Sequence, residues 1–123
     1  MPNILLVEDD PFLIDIYSKK FQEAGYNLEV ISDGTKVASA LEAKVYDLVL
    51  LDIVLPKIEG WQILRGIKQN VQFKNLKVVV LSNLGQKEEV EKGLSLGAYK
   101  YLIKSHFKPS EIIEQVKKIL AGN

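Results

Sequence analysis

Short apolar runs alternate with stretches of helical period five times along this chain. Ile4–Val7, Leu28–Ile31, Leu48–Leu51, Val78–Leu81 and Tyr99–Ile103 read as strands. The first, third and fourth are continuous and rich in Val, Ile and Leu, as parallel strands covered on both faces require. The second, Asn27-Leu28-Glu29-Val30-Ile31, mixes polar and apolar positions and belongs nearer an edge of the sheet.

Between the runs, apolar residues recur at i, i+3 and i+4, the mark of amphipathic helices. The first helix shows Leu13, Ile16, Tyr17, Phe21 and Ala24. Asp10 can cap it, Pro11 suits its first turn and Gly25 can end it in a left-handed conformation. The second is short, with Val37, Ala40 and Leu41. The third shows Ile63, Leu64, Ile67 and Val71, and the fifth Ile112, Ile113, Val116, Ile119 and Leu120 after Pro109. The fourth, near Lys87–Leu96, has only Val90 and Leu94 as anchors and carries Gly93 inside it, so it is expected to dock least firmly. Gly122 is placed to cap the last helix beyond Leu120.

Strict β/α alternation predicts an α/β fold: a doubly wound, five-stranded parallel sheet with helices on both faces and right-handed crossovers. In such sheets ligands sit at the carboxyl ends of the strands. Glu8, Asp9 and Asp10 follow the first strand, Asp52 ends the third, Ser82 the fourth and Lys104 the fifth. All four groups therefore fall on one edge of the sheet.

The length, 123 residues, suits one domain spanning 1–123. Sixteen basic and sixteen acidic side chains cancel, so no global basic field exists to hold nucleic acid or an anionic membrane. There are no cysteines, which excludes disulfides, thiolate chemistry and cysteine-ligated zinc. No apolar run approaches the roughly 18 residues of a membrane span, and Met1-Pro2-Asn3 does not begin a secretory signal. The expectation is a soluble cytoplasmic protein with no direct nucleic-acid or membrane partner.

Ionised carboxylates beside buried strands need compensation by a cation or hydrogen bonds. Asp9 and Asp52, with Glu8 nearby, offer the hard oxygen ligands of a Mg²⁺ site that also accepts phosphate oxygens. Lys104 can set a positive charge beside a phosphoryl group, and Ser82 can donate a hydrogen bond to it. Asp52 could then act as a nucleophile that forms an aspartyl phosphate. Blander readings stand beside these: Asp10 as a helix cap, Lys104 as a solvated lysine, Ser82 as a turn former and His106 as a surface residue. Tyr99, Tyr101 and Trp61 read as partly buried packing residues. No glycine-rich phosphate loop occurs, which disfavours nucleotide binding.

Taken together, these motifs resemble the receiver domain of two-component response regulators, of the chemotaxis-regulator type. The landmarks are Ile4-Leu5-Leu6-Val7-Glu8-Asp9-Asp10-Pro11, Leu50-Leu51-Asp52-Ile53-Val54-Leu55-Pro56 with Gly60, Leu81-Ser82, Gly97-Ala98 and Tyr101-Leu102-Ile103-Lys104. The separations match as well, 30 residues from Asp52 to Ser82 and 22 from there to Lys104. The resemblance implies a (βα)5 flavodoxin-like fold with strand order 2-1-3-4-5, an order that general accounts of doubly wound sheets assign to this type of protein. It implies Asp52 as phosphoacceptor, Asp9 as a direct Mg²⁺ ligand, Glu8 as a ligand through water and the Val54 backbone carbonyl as a third protein ligand. Ser82 and Lys104 match the switch hydroxyl and the lysine, and Tyr101 the aromatic that swings inward. The implied partners are a sensor histidine kinase or histidine phosphotransfer protein, and an output protein or domain on the helix 4–strand 5–helix 5 face.

Three positions depart from the family pattern. Ser105 follows Lys104 where the family has a cis proline. A cis bond before a non-proline residue costs about 2.5–4 kcal/mol, so the peptide is either trans or strained. Asn83 stands where a small residue usually follows the hydroxyl, narrowing access to Asp52. Val54 is apolar and disfavours positioning of an attacking water. Together these predict slow phosphorylation and slow hydrolysis. The function implied is a phosphorylation-dependent signalling switch with Mg²⁺-dependent chemistry on its own Asp52 only, not an enzyme with a separate substrate. The alternative is a phosphorylation-independent interaction module of the same fold; a small phosphatase or a flavin-binding α/β protein is a more distant one.

Overall fold

Two helical layers cover the sheet, and this explains why the central strands carry apolar residues at consecutive positions. The computed structural model describes residues 1–122. Its elements run β1 (Asn3–Val7), α1 (Pro11–Glu23), β2 (Asn27–Ile31), α2 (Val37–Ala43), β3 (Leu48–Leu51), α3 (Gly60–Gln69), β4 (Lys77–Ser82), α4 (Lys87–Ser95), β5 (Lys100–Ile103) and α5 (Pro109–Leu120). The strands form one parallel sheet in the order β2-β1-β3-β4-β5. This is the flavodoxin-like order expected from the motifs, and β2 lies at an edge as its mixed sequence predicts.

Alternate side chains of each central strand enter opposite cores. Ile4, Leu6, Leu48, Leu50, Val79 and Leu81 pack with Tyr17 and Phe21 of α1 and with Ile112, Val116 and Ile119 of α5. Leu5, Val7, Val49, Leu51, Val78 and Val80 pack with Val37 and Leu41 of α2 and with Ile63, Leu64 and Ile67 of α3. Burying each such side chain contributes roughly 1.5–3 kcal/mol. The two cores therefore hold the sheet, and its carboxyl edge is left for polar groups.

Local signals end the elements where the sequence places them. The Asp10 carboxylate accepts from the N–H groups of Phe12 and Leu13, and Pro11 opens α1. Gly25 takes φ +88° after that helix. Three expectations fail. Val71 is not an anchor of α3: the helix stops at Gln69 because the Asn70 side chain accepts from Gln72 N–H and starts a separate 3-10 turn, leaving Val71 80% exposed. Leu94 does not anchor α4 either. It is 48% exposed, and Gly93 is the buried residue of that helix. Tyr99 is exposed rather than packed, with the Lys77 ammonium over its ring. No peptide bond among the described residues is cis, so Lys104–Ser105 is trans. No helix among them is long and apolar enough to cross a membrane.

Candidate functional site

Strand register assembles the polar cluster. β1 and β3 pair Val7 with Leu51, so the next residues, Glu8 and Asp52, leave the sheet side by side. β4 and β5 pair Ser82 with Ile103, which sets Lys104 just beyond the serine. Backbone bonds carry the ladder one residue further, from Asp52 N–H to Val7 C=O at 3.0 Å and from Glu8 N–H to Ile31 C=O at 3.1 Å. The sheet thus fixes the main chain under both carboxylates.

Glu8 (1% exposed), Asp52 (6%) and Ser82 (0%) are buried, whereas Asp9 is exposed. Carboxylate oxygens of Glu8, Asp9 and Asp52 all lie within 4.8 Å of one another. Glu8 Oε2 accepts from the N–H groups of Asp9 (3.1 Å) and Asp10 (3.3 Å). Its other oxygen, Oε1, has no well-aligned hydrogen bond and faces the Lys104 ammonium at 2.5 Å. That ammonium also lies 3.1 Å from Asp52 Oδ2, while Asp52 Oδ1 accepts from Val54 N–H at 3.3 Å. Lys104 is thus the internal counterion of two buried carboxylates. A buried carboxylate oxygen without an aligned donor, in a group of three oxygen donors, suits a hard divalent cation.

The electrostatics follow from burial and this ion pairing. Burial pushes the Glu8 carboxyl above its ordinary value, with Lys104 pulling in the opposite direction and Asp52 adding to the rise. Burial also works against the Lys104 charge, but contacts with Glu8 and Asp52 outweigh it, so the ammonium is held more firmly than in an ordinary lysine. One positive charge in reach of two carboxylates leaves the cluster net negative.

The structure brings Glu8, Asp9, Asp52, Val54, Ser82, Asn83 and Lys104 onto one open cleft. Tyr101 stands outside it and half-buried, its hydroxyl donating to the Leu84 carbonyl. Ser82 Oγ accepts from the N–H of the same Leu84 at 3.3 Å. Burial, then the Glu89 and Asp52 charges, push the Tyr101 phenol up to about 12. Two features were missed by the sequence reading. Asn83 Oδ1 accepts from Ser105 N–H at 3.0 Å, a contact between residues 22 apart that no local pattern signals. Gly93 seats the Tyr101 ring, and here a signal existed: a glycine in a helix interior is costly unless packing needs it.

Comparison with known proteins bears on the family and the fold. The sequence model of the response regulator receiver domain matches residues 4–117. The chain is 32% identical to the DNA-binding dual master transcriptional regulator RpaA of Synechocystis over 98% of its own length and 49% of that protein. It is 38% identical to the probable transcriptional regulatory protein SilR of Salmonella typhimurium, over 95% of this chain and 50% of that one. The chain therefore spans about half the length of these curated relatives. Among solved structures, the receiver domain of Francisella response regulator 1452 superposes with a TM-score of 0.89 at 28% identity, covering 98% of each chain. With its sheet order, its carboxyl-edge cluster and these matches, the chain belongs to the response regulator receiver domain family.

Proposed function

We propose that the chain is a phosphorylation-dependent switch whose acceptor is Asp52. Receiver domains are signalling switches rather than conventional enzymes, and they interact with histidine kinases and output domains. The observation that carries the reading is the setting of Asp52: nearly buried, open to the cleft on one side, and 3.1 Å from an ammonium it shares with Glu8. In the reaction, a carboxylate oxygen of Asp52 attacks the phosphorus of a phosphohistidine on a sensor kinase or phosphotransfer protein. The P–N bond breaks and the electron pair returns to the imidazole. Val54 N–H holds the other Asp52 oxygen, Lys104 balances charge growing on the phosphoryl oxygens, and Ser82 offers them its hydroxyl.

Glu8, Asp9 and Asp52, with the Val54 carbonyl, are the residues that would hold Mg²⁺. A bound Mg²⁺ neutralises phosphoryl charge and relieves repulsion among the carboxylates. The Asp52 adduct then biases a pre-existing equilibrium of the face formed by α4, β5 and α5, where an output partner binds. On this reading residues 1–123 act as a single receiver domain in the cytoplasm.

Incubation with Mg²⁺ and phosphoramidate tests the reading by intact mass. The protein gains about 80 Da, one phosphoryl group on an acyl oxygen, and Asp52→Asn gains none. An equal yield from the variant would move the acceptor elsewhere.

A further inference from the structure

The residues that follow the hydroxyl and the lysine are tied together across the mouth of the cleft. β4 and β5 pair as far as Ser82 and Ile103 and no further. The chain then enters a single 3-10 turn, Lys104–His106, whose own preceding residue supplies no side-chain cap. N–H groups at such a start have no partner within the turn. One of them, Ser105 N–H, is taken by Asn83 Oδ1 at 3.0 Å, from the loop after β4. Lys104 is thus held on both sides, by the β5 ladder before it and by Asn83 after it. Its ammonium reaches Asp52 from that anchored backbone.

We infer that Asn83 is a positioning residue for Lys104, capping the Lys104–Ser105 turn and coupling the lysine loop to the hydroxyl loop. The inference rests on the reading of Asp52 as the acceptor. Because Asn83 adjoins Ser82, this one hydrogen bond ties the loop that carries the lysine to the loop that carries the hydroxyl. The same side chain lines the cleft, so its bulk could also act by restricting entry. The two roles separate by substitution, since Leu keeps the bulk and loses the acceptor, whereas Ala loses both. Asn83 is exposed, and neither change disturbs the core.

The test measures phosphorylation by phosphoramidate with Mg²⁺ in the parent, Asn83→Leu and Asn83→Ala, together with amide exchange of Ser105 and the Lys104 side-chain resonances in the metal-free protein. A positioning role slows both variants about 3–10-fold, the range spanned by one lost hydrogen bond, and lowers Ser105 protection by a similar factor. The Lys104 resonances move toward those of solvated lysines, and Asn83→Asp, which keeps the acceptor, restores Ser105 protection. If Asn83→Leu matches the parent while Asn83→Ala reacts faster, bulk at the rim is the cause and the inference falls. Unchanged Ser105 protection and Lys104 resonances in both variants overturn it as well, whatever the rates. A parent that takes up no phosphoryl group sinks the proposed function instead, and the NMR readouts still decide whether Asn83 places Lys104.

Discussion

The ring of Tyr101 rests directly on Gly93: a Cβ added at that glycine would stand 2.7 Å from Tyr101 Cδ2 and 3.0 Å from Cε2. Real side chains do not approach so closely, so α4 and the tyrosine share one surface that only glycine permits. Gly93→Ala gains about 1 kcal/mol of helix propensity but meets overpacking of about 1–3 kcal/mol, for a net loss of up to about 2 kcal/mol. The relief available is outward rotation of Tyr101, which breaks the hydroxyl bond to Leu84. NMR titration of the assigned Tyr101 ring reads this rotation, separating it from Tyr46, whose phenol is also pushed up to about 12. The Tyr101 phenol falls from about 12 toward its ordinary 10 as burial is lost. A phenol that stays near 12 would mean that α4, not the ring, gives way.

On the proposed reading, a divalent cation at the acidic cluster would draw on the Glu8 carboxylate whose Oε1 already faces Lys104. Removing the lysine leaves two buried carboxylates uncompensated, a loss on the order of 3 kcal/mol. Lys104→Ala will therefore melt lower than the parent without metal, yet gain more from Mg²⁺. At a concentration 100 times Kd the parent itself gains about 2.7 kcal/mol. Asp9→Ala, at an exposed position, removes most of that gain. Thermal melts with and without Mg²⁺ check all three proteins, and equal metal shifts throughout would place the cation elsewhere.

The sheet was legible because its evidence is local and repeated. Leu48–Leu51 and Val78–Leu81 can hardly be anything but doubly covered strands, and strand ends then put Glu8, Asp52, Ser82 and Lys104 on one edge. The failures share a different cause. Val71 and Leu94 keep the helical period yet face solvent, because Asn70 ends α3 early and Gly93 turns the other face of α4 inward. Periodicity cannot rank two faces of a helix this short in apolar residues. The Glu8–Lys104 contact and the Asn83–Ser105 bond join distant segments. They depend on rotamers and loop paths that single-sequence patterning does not encode.

Asp33 links the loop after β2 to the loop after β3 and carries a pH signature. Its carboxylate accepts from the Thr35 hydroxyl and N–H, and pairs with Lys57 at 3.1 Å. Lys57 itself holds φ +68°, a left-handed conformation unusual for a lysine. The Thr35 bonds first, and then Lys57, hold the Asp33 carboxyl down at about 2, against an ordinary 3.8. A depressed carboxylate contributes stability that is present above its unfolded value and lost as pH falls through the folded one. Asp33→Asn will accordingly unfold at lower denaturant than the parent at pH 7, and the gap will close between about pH 4 and pH 2. A gap that persists at pH 2 would assign the effect to hydrogen bonding rather than charge.

Leu84 joins the cleft to Tyr101, since its N–H bonds Ser82 Oγ and its carbonyl accepts from the Tyr101 hydroxyl. If Ser82 turns its oxygen toward a group on Asp52, the Leu84 N–H loses its partner and the loop that receives Tyr101 must rearrange. α4 can follow because Gly93 is its buried residue and no large apolar side chain of that helix is fully buried. A beryllofluoride complex at Asp52 gives a lasting stand-in for the labile acyl phosphate. In amide NMR its shift changes will extend from the cleft to residues 82–96 and 99–104, while α2, locked by Val37 and Leu41, stays nearly still. Ser82→Ala will still form the complex but shrink the distant changes, because the oxygen that ties the cleft to Leu84 is gone. The Tyr101 hydroxyl supplies a second reading of the same path, since rotation of the ring shifts its phenol away from about 12. Changes confined to residues 8–10 and 52–54 would break the link through Leu84 and leave a phosphoryl carrier with little conformational output.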